Sequence, residues 1–282
     1  MFKPGWIVVV GLVALLACES KSSQSAPAAP APPAPQYDDY RAALMAFVDA
    51  HGRVDYSGLK EQRVYLDDFV TYLERLDSKT YDAWPGRDKM ALWINAYNAL
   101  TLRAIIDNYP ISPQTPNGAY PTNSIRQIKG VFDFNRVNVM GQSITLGYIE
   151  TKILRRDFHD ARFHAALSNA ALSSPVLRNE PYEGAKLDAQ FDDQARKLIA
   201  DPHQFRIDQG AKEVRVAEMF REYADDFAPK DAPRTPPAAL ERAGVRAFAS
   251  PRLGASDKSF LAGNDYRVTY LPFDWSLNEQ SH

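Results

Sequence analysis

Cysteine is all but missing from this chain: Cys18 is the only one among 282 residues. The region after it holds no thiol, which excludes a disulfide framework, a cysteine-ligated zinc site and a cysteine nucleophile there. An excess of one charge is missing too. Lys and Arg number 33 against 35 Asp and Glu, a formal net charge of −2. Such a balance gives no electrostatic footprint for nucleic acid, so no nucleic-acid partner is expected. The apolar run at residues 5–17 falls short of the ~20 residues that cross a bilayer. No H-E-x-x-H, G-x-S-x-G, G-x-G-x-x-G or Walker pattern occurs, and neither metal nor cofactor is expected. Ser57-Gly58-Leu59-Lys60 has the S-x-x-K form of penicillin-recognising enzymes. The companion S-D-N and K-T-G patterns are absent, and Ser256-Asp257-Lys258 comes much too late to replace them.

The N-terminus reads as an export signal. Lys3 precedes the uncharged run, which closes on Leu15-Leu16-Ala17-Cys18. This ending resembles the lipobox of bacterial lipoproteins, which implies cleavage before Cys18 and acylation of its thiol and new amine. Several acyl chains give stable anchoring at about 0.8 kcal/mol per buried methylene. The expected layout is a signal peptide at 1–17, a lipid-bearing tether at 18–36 and one globular domain at 37–282. The membrane, reached through Cys18, is the expected partner. Glu19 rather than Asp after the cysteine favours the outer over the inner membrane, with the domain facing the periplasm. The tether is rich in Ser, Ala and Pro, which favours extended conformations and a reach on the order of 50 Å.

Within the domain, residues 40–50 and 60–76 carry apolar side chains at helical spacing, as amphipathic surface helices do. Residues 89–109 are apolar in nearly every direction around the axis, which predicts a buried helix ending before Pro110. A loop rich in Pro and Asn follows at 111–123. Hairpins are expected around Gly141 and Gly210, a helix at 147–156, a strand at 162–167, a helix at 183–200 and a last strand at 266–272. Helices and antiparallel pairs are largely segregated, so the expected class is α+β, a single mixed domain around one buried helix.

Three groups of residues can carry chemistry. Asn95 and Asn98 lie about 60° apart on the buried helix. An unpaired buried amide costs roughly 1–3 kcal/mol, so both belong either to a structural network or to a ligand pocket. Glu150 projects from an apolar stripe between Leu146 and Leu154. It is either a site carboxylate or one half of a clamp with Arg155, Arg162 or Arg178. His164 lies in the expected strand, followed by Asn169, Ser173 and Ser174 in a polar turn closed by Pro175. In a continuous strand His159 would face the opposite way, which argues against a shared metal.

These residues also carry a resemblance. The run Leu92-Trp93-Ile94-Asn95-Ala96-Tyr97-Asn98-Ala99-Leu100-Thr101-Leu102 closely resembles the core motif of the domain of unknown function 547 family. Ser124-Ile125 before Phe132, Ile149-Glu150, Ile153-Leu154-Arg155, Arg162-Phe163-His164 and Tyr182 follow in the family's order. Ala224-Asp225-Asp226-Phe227 and Asp274-Trp275-Ser276-Leu277-Asn278 complete it. After the histidine the family pattern carries two cysteines, where this chain has Asn169 and Ser174. If the first cysteine is the family's nucleophile, this copy has lost it, since an amide cannot replace a thiolate. Loss of both fits a dispensable disulfide equally well.

Two functions follow as expectations. The favoured one is a lipid-anchored envelope module of unknown biochemical function, non-catalytic or degenerate. Its pocket, lined by Asn95, Asn98, Glu150, His164 and Asn169, binds a small polar ligand or an envelope partner, or only stabilises the fold. The alternative is a hydrolase or acyl transferase of thiol-enzyme ancestry, with His164 as base, Glu150 as orienting carboxylate and Ser174 as nucleophile. That alternative requires the Ser174 hydroxyl within hydrogen-bond reach of the imidazole.

Overall fold

A helix that is apolar on every side needs neighbours on every side. The computed structural model describes residues 32–281. The expected signal peptide, Cys18 and the first part of the tether lie outside the described residues. The chain from Pro32 onward forms one compact unit. In it, α1 (Asp38–Phe47), α2 (Tyr56–Glu61), α3 (Val64–Arg75) and α4 (Ser78–Asp82) precede the long α5 (Gly86–Asn108). From Met90 to Leu102 every residue of α5 is buried, as are Ile105 and Ile106. The helix stops at Asn108, as Pro110 requires.

The helix expected at 60–76 is two helices. The Asp55 carboxylate caps α2 by accepting from Gly58 N, and at Gln62 the backbone leaves helical angles before α3 restarts. α3 then lays Leu66, Phe69, Val70 and Leu73 into the core.

β1 (Val137–Val139) and β2 (Gln142–Ile144) form the first hairpin, turning at Gly141 with φ +72°. A short α6 (Leu146–Tyr148) follows and winds directly into a π-helical segment, Ile149–Phe158. Segments of this kind occur frequently at functional sites.

The strand expected at 162–167 is a 3-10 helix, Ala161–Ala165, capped by the Asp160 side chain on Arg162 N. A strand would put Phe163 and Ala165 on one face. Here they serve different cores: Phe163 packs with the cluster around α5, Ala165 with a second cluster. That second cluster sits on a sheet of order β3-β4-β5. β3 (Phe205–Asp208) and β4 (Glu213–Val216) form the second hairpin, while β5 (Arg267–Tyr270) joins β4 in parallel.

A parallel pair needs a long crossover. It is supplied by α8 (Met219–Glu222), α9 (Ala224–Phe227), α10 (Pro237–Ala249) and α11 (Ala255–Gly263), with α7 (Leu187–Ala200) preceding β3. The class is α+β. Among the described residues no helix is long and apolar enough to cross a membrane.

Candidate functional site

The seam between the two apolar clusters holds a cavity of about 720 Å³. Its walls come from both sides of the seam: Tyr97, Phe132 and Leu167 from one, Met219, Tyr223 and Tyr270 from the other. Gly147 allows one wall to close. Its N–H donates to Phe132 O at 2.8 Å, and a Cβ there would stand 3.1 Å from that oxygen.

His164 is the residue around which the site is built. Its side chain is 2% exposed, yet the ring borders the cavity. Nε2 lies 3.0 Å from Asp226 Oδ2. The same oxygen accepts from Arg155 Nε at 2.6 Å. Nδ1 faces Glu150 Oε1 at 3.9 Å. Tyr223 stacks on the imidazole, centroids 4.0 Å apart and planes at 16°, and its hydroxyl donates to Glu150 Oε1 at 2.7 Å. Phe163 and Phe227 pack against the ring at 4.0 and 5.4 Å. An imidazole so enclosed has one tilt available to it. The two carboxylates approach opposite nitrogens of the ring.

Environment drives the two carboxyls apart. Burial pushes Glu150 above the usual carboxylate range and the negative Glu222 adds to it, against the hydrogen bond from Tyr223 and the nearby His164 and Arg155. At Asp226 burial also works upward, but hydrogen bonds to His164 and Arg155 outweigh it and hold the carboxyl below its ordinary range. The site therefore contains one carboxyl held below its ordinary range and one held above it. Burial and the Glu150 charge together place the Tyr223 phenol far above its usual value.

The clamp reading of Glu150 is corrected by these contacts. Arg155 pairs with Asp226, Arg162 with Asp160 and Asp188, and Arg178 with Glu180 and Asp193. Among the described residues no arginine pairs with Glu150. Asp226, not Glu150, is the carboxylate that orients His164.

Asn95 and Asn98 are absent from the cavity wall, a second correction. Asn95 donates to Tyr182 O and accepts from Tyr182 N, both at 2.8 Å. Asn98 does the same across Ala166 O and Ser168 N, both at 2.9 Å. Their amides are spent on backbone, and Asn98 in particular fixes the chain just after His164. Asn169 does line the cavity, its Oδ1 accepting from Tyr97 OH at 2.7 Å.

Ser174 is displaced from the site. After Asn169 the chain reverses through Ala170, whose φ is +56°, and Ser174 ends up lining a separate cavity of about 70 Å³ beside Gly52 and Asn278. Its hydroxyl accepts from Asn169 N at 3.2 Å, and no hydrogen bond joins it to His164 among the described residues. The adjacent Ser173 reaches the large cavity, but its hydroxyl accepts from Asp274 N at 2.9 Å. His159 is exposed at the end of the π-helical segment with φ +52°, remote in role from His164.

Sequence reasoning missed Tyr223 and Asp226. Both lie on the far side of the seam, and only the fold brings them under His164. The signal within reach was chemical: a buried imidazole needs an anionic or acceptor partner, and residues 218–226 are rich in acids.

The family model described as "Protein of unknown function, DUF547" matches residues 81–199. Glu150 and His164 fall inside that span; Tyr223, Asp226 and Trp275 fall outside it. No curated protein and no solved structure matches the chain.

Proposed function

We propose that this chain is a lipid-anchored module of the cell envelope, held by Cys18 at the periplasmic face of a membrane, whose cavity binds a small polar ligand. One observation carries the reading. Both nitrogens of a buried histidine are faced by carboxylates at the wall of a cavity of about 720 Å³. That volume falls within the range of small-molecule sites, and aromatic walls with a few convergent polar groups are their usual lining. The ring's contacts fix it as a wall of the cavity, and the nearby serines are engaged by backbone amides.

The test is a thermal-shift screen of the purified chain against amino acids, peptides, sugars, nucleosides and dicarboxylates. At least one class is expected to raise the Tm of the wild type and to have no effect on Tyr223→Ala. A flat response from every class would overturn the reading.

A second reading has one observation in its favour. Asp226 orients His164 through Nε2, which leaves Nδ1 on the Glu150 side as a candidate base. In that reading a hydrolase or acyl transferase would use His164 and Glu150 on a cavity water rather than on Ser174. Turnover of activated esters or amides by the wild type, lost in His164→Ala, would favour it over simple binding.

A further inference from the structure

Arg126 is a cation without an anion. It lies in a 3-10 turn, Ile125–Gln127, started by Ser124, whose hydroxyl accepts from Arg126 N at 3.2 Å. The guanidinium carbon stands 4.3 Å from the ring centre of Trp275, 4.8 Å from Phe132 and 5.8 Å from Tyr120. Tyr120 in turn meets Trp275 edge-on at 5.8 Å. Three rings from three separate segments therefore hold one guanidinium in place. Among the described residues Arg126 makes no ion pair, and its Nε is buried without a hydrogen-bond partner. Arg155, Arg162 and Arg178 each hold carboxylates. Arg126, Phe132 and Trp275 all line the large cavity.

The opposite need is present in the same cavity. Gln204 is 2% exposed and lines the wall. Its Nε2 donates to Ser173 O and Ser174 O, at 2.8 and 3.1 Å, while its Oε1 is buried with no donor. Glu150 has Oε1 taken by Tyr223, and Asp133 and Glu222 bring further negative charge to the lining. The cavity thus offers an unused planar cation and, apart from it, unused acceptors and acids. A guanidinium matches a carboxylate or phosphate in two parallel hydrogen bonds. A dianionic phosphate would be opposed by Glu150, Glu222 and Asp133, whereas a carboxylate joined to an ammonium satisfies both walls.

We propose that the ligand is a small zwitterion of the amino-acid or short-peptide class, its carboxylate on Arg126 and its ammonium toward Glu150 and Glu222. This rests on the binding function proposed above and names the ligand chemistry of that site.

The experiment uses the full chain and saturation-transfer NMR. Three probes are compared: a pool of random-sequence tripeptides with free termini, the same pool amidated at the C-terminus, and inorganic phosphate. The free-acid pool is expected to bind. Amidation is expected to weaken it by roughly tenfold to a hundredfold, the worth of one charge-assisted bidentate contact. Arg126→Lys, which keeps the charge and loses the fork, should weaken the free-acid pool by about tenfold and leave the amidated pool unchanged. Equal binding of free-acid and amidated pools overturns the inference and leaves the binding reading standing, as does binding of phosphate in place of peptide. Silence from all three probes overturns the inference, and the broader screen then decides the binding reading separately. The amidation comparison is made on the unaltered protein, so misfolding of a variant cannot obscure it.

Discussion

Asp226 Oδ2 is shared between His164 Nε2 at 3.0 Å and Arg155 Nε at 2.6 Å. One oxygen thus ties the 3-10 helix of His164 and the π-helical segment to α9. The contact crosses the seam between the two apolar clusters, so it bears on stability as well as on the site.

Asp226→Ala removes the shared charge and leaves Arg155 and His164 without their acceptor. The expected loss at neutral pH is about 2–4 kcal/mol, the size of charged hydrogen bonds broken from one side. Asp226 is depressed in the folded protein. Its contribution is therefore present above the ordinary carboxylate value and is lost as pH falls through the folded value. Urea melts at pH 7 and at about pH 2 check this. A gap between variant and wild type that stays constant over that interval would contradict the pairing.

Glu150 has the opposite sign. Its carboxyl is raised by burial, so the folded state favours the neutral form and loses stability as pH rises through the folded value. Glu150→Gln keeps an acceptor for Tyr223 OH and should be at least as stable as the wild type at pH 7, with the two converging near pH 4. Ligand-induced stabilisation should nevertheless disappear. The same change at the exposed Glu61 should alter neither quantity. A Glu150→Gln protein clearly less stable at pH 7 would falsify the assigned direction.

Asn98→Leu deletes both hydrogen bonds to the 166–168 backbone and leaves a buried carbonyl and a buried N–H unpaired. The expected loss is about 2–4 kcal/mol by chemical denaturation. Asn95→Leu should behave similarly through Tyr182. Losses below ~0.5 kcal/mol at both would show that these amides are not what fixes the loops.

Ser174→Ala should remove only the acceptor of Asn169 N, about 0.5–1.5 kcal/mol, and leave binding in the large cavity intact. Loss of binding or turnover at unchanged stability would return Ser174 to the site.

Cys18→Ser is expected to move the protein from the membrane fraction to the soluble fraction, since the acyl chains would have no thiol to attach to. Unchanged fractionation would contradict the anchor.

Local periodicity and turn chemistry made much of the fold legible. The all-round apolar pattern of 89–109 can only be a wrapped helix, and α5 is one. The hairpin at Gly210 follows from two short β-prone runs about a turn, and β3 and β4 pair on either side of that glycine. Where a segment's conformation depends on which core receives each side chain, sequence reading failed. Phe163 and Ala165 go to different clusters, and the expected strand is a 3-10 turn. The parallel seat of β5 beside β4 was equally out of reach, because its partner lies some 50 residues away.

By itself the sequence determined that one helix would be sealed inside, that no thiol chemistry would occur in the domain, and that Glu150 and His164 were residues in need of partners. These are consequences of composition and spacing along a single stretch of chain. Only the tertiary structure decided who the partners are. Tyr223, Asp226 and Arg126 meet the site because separate segments pack across one seam, and Ser174 misses it because the chain reverses at Ala170. Burial makes a polar group demand a neighbour, but which neighbour answers depends on three-dimensional packing that no local pattern encodes.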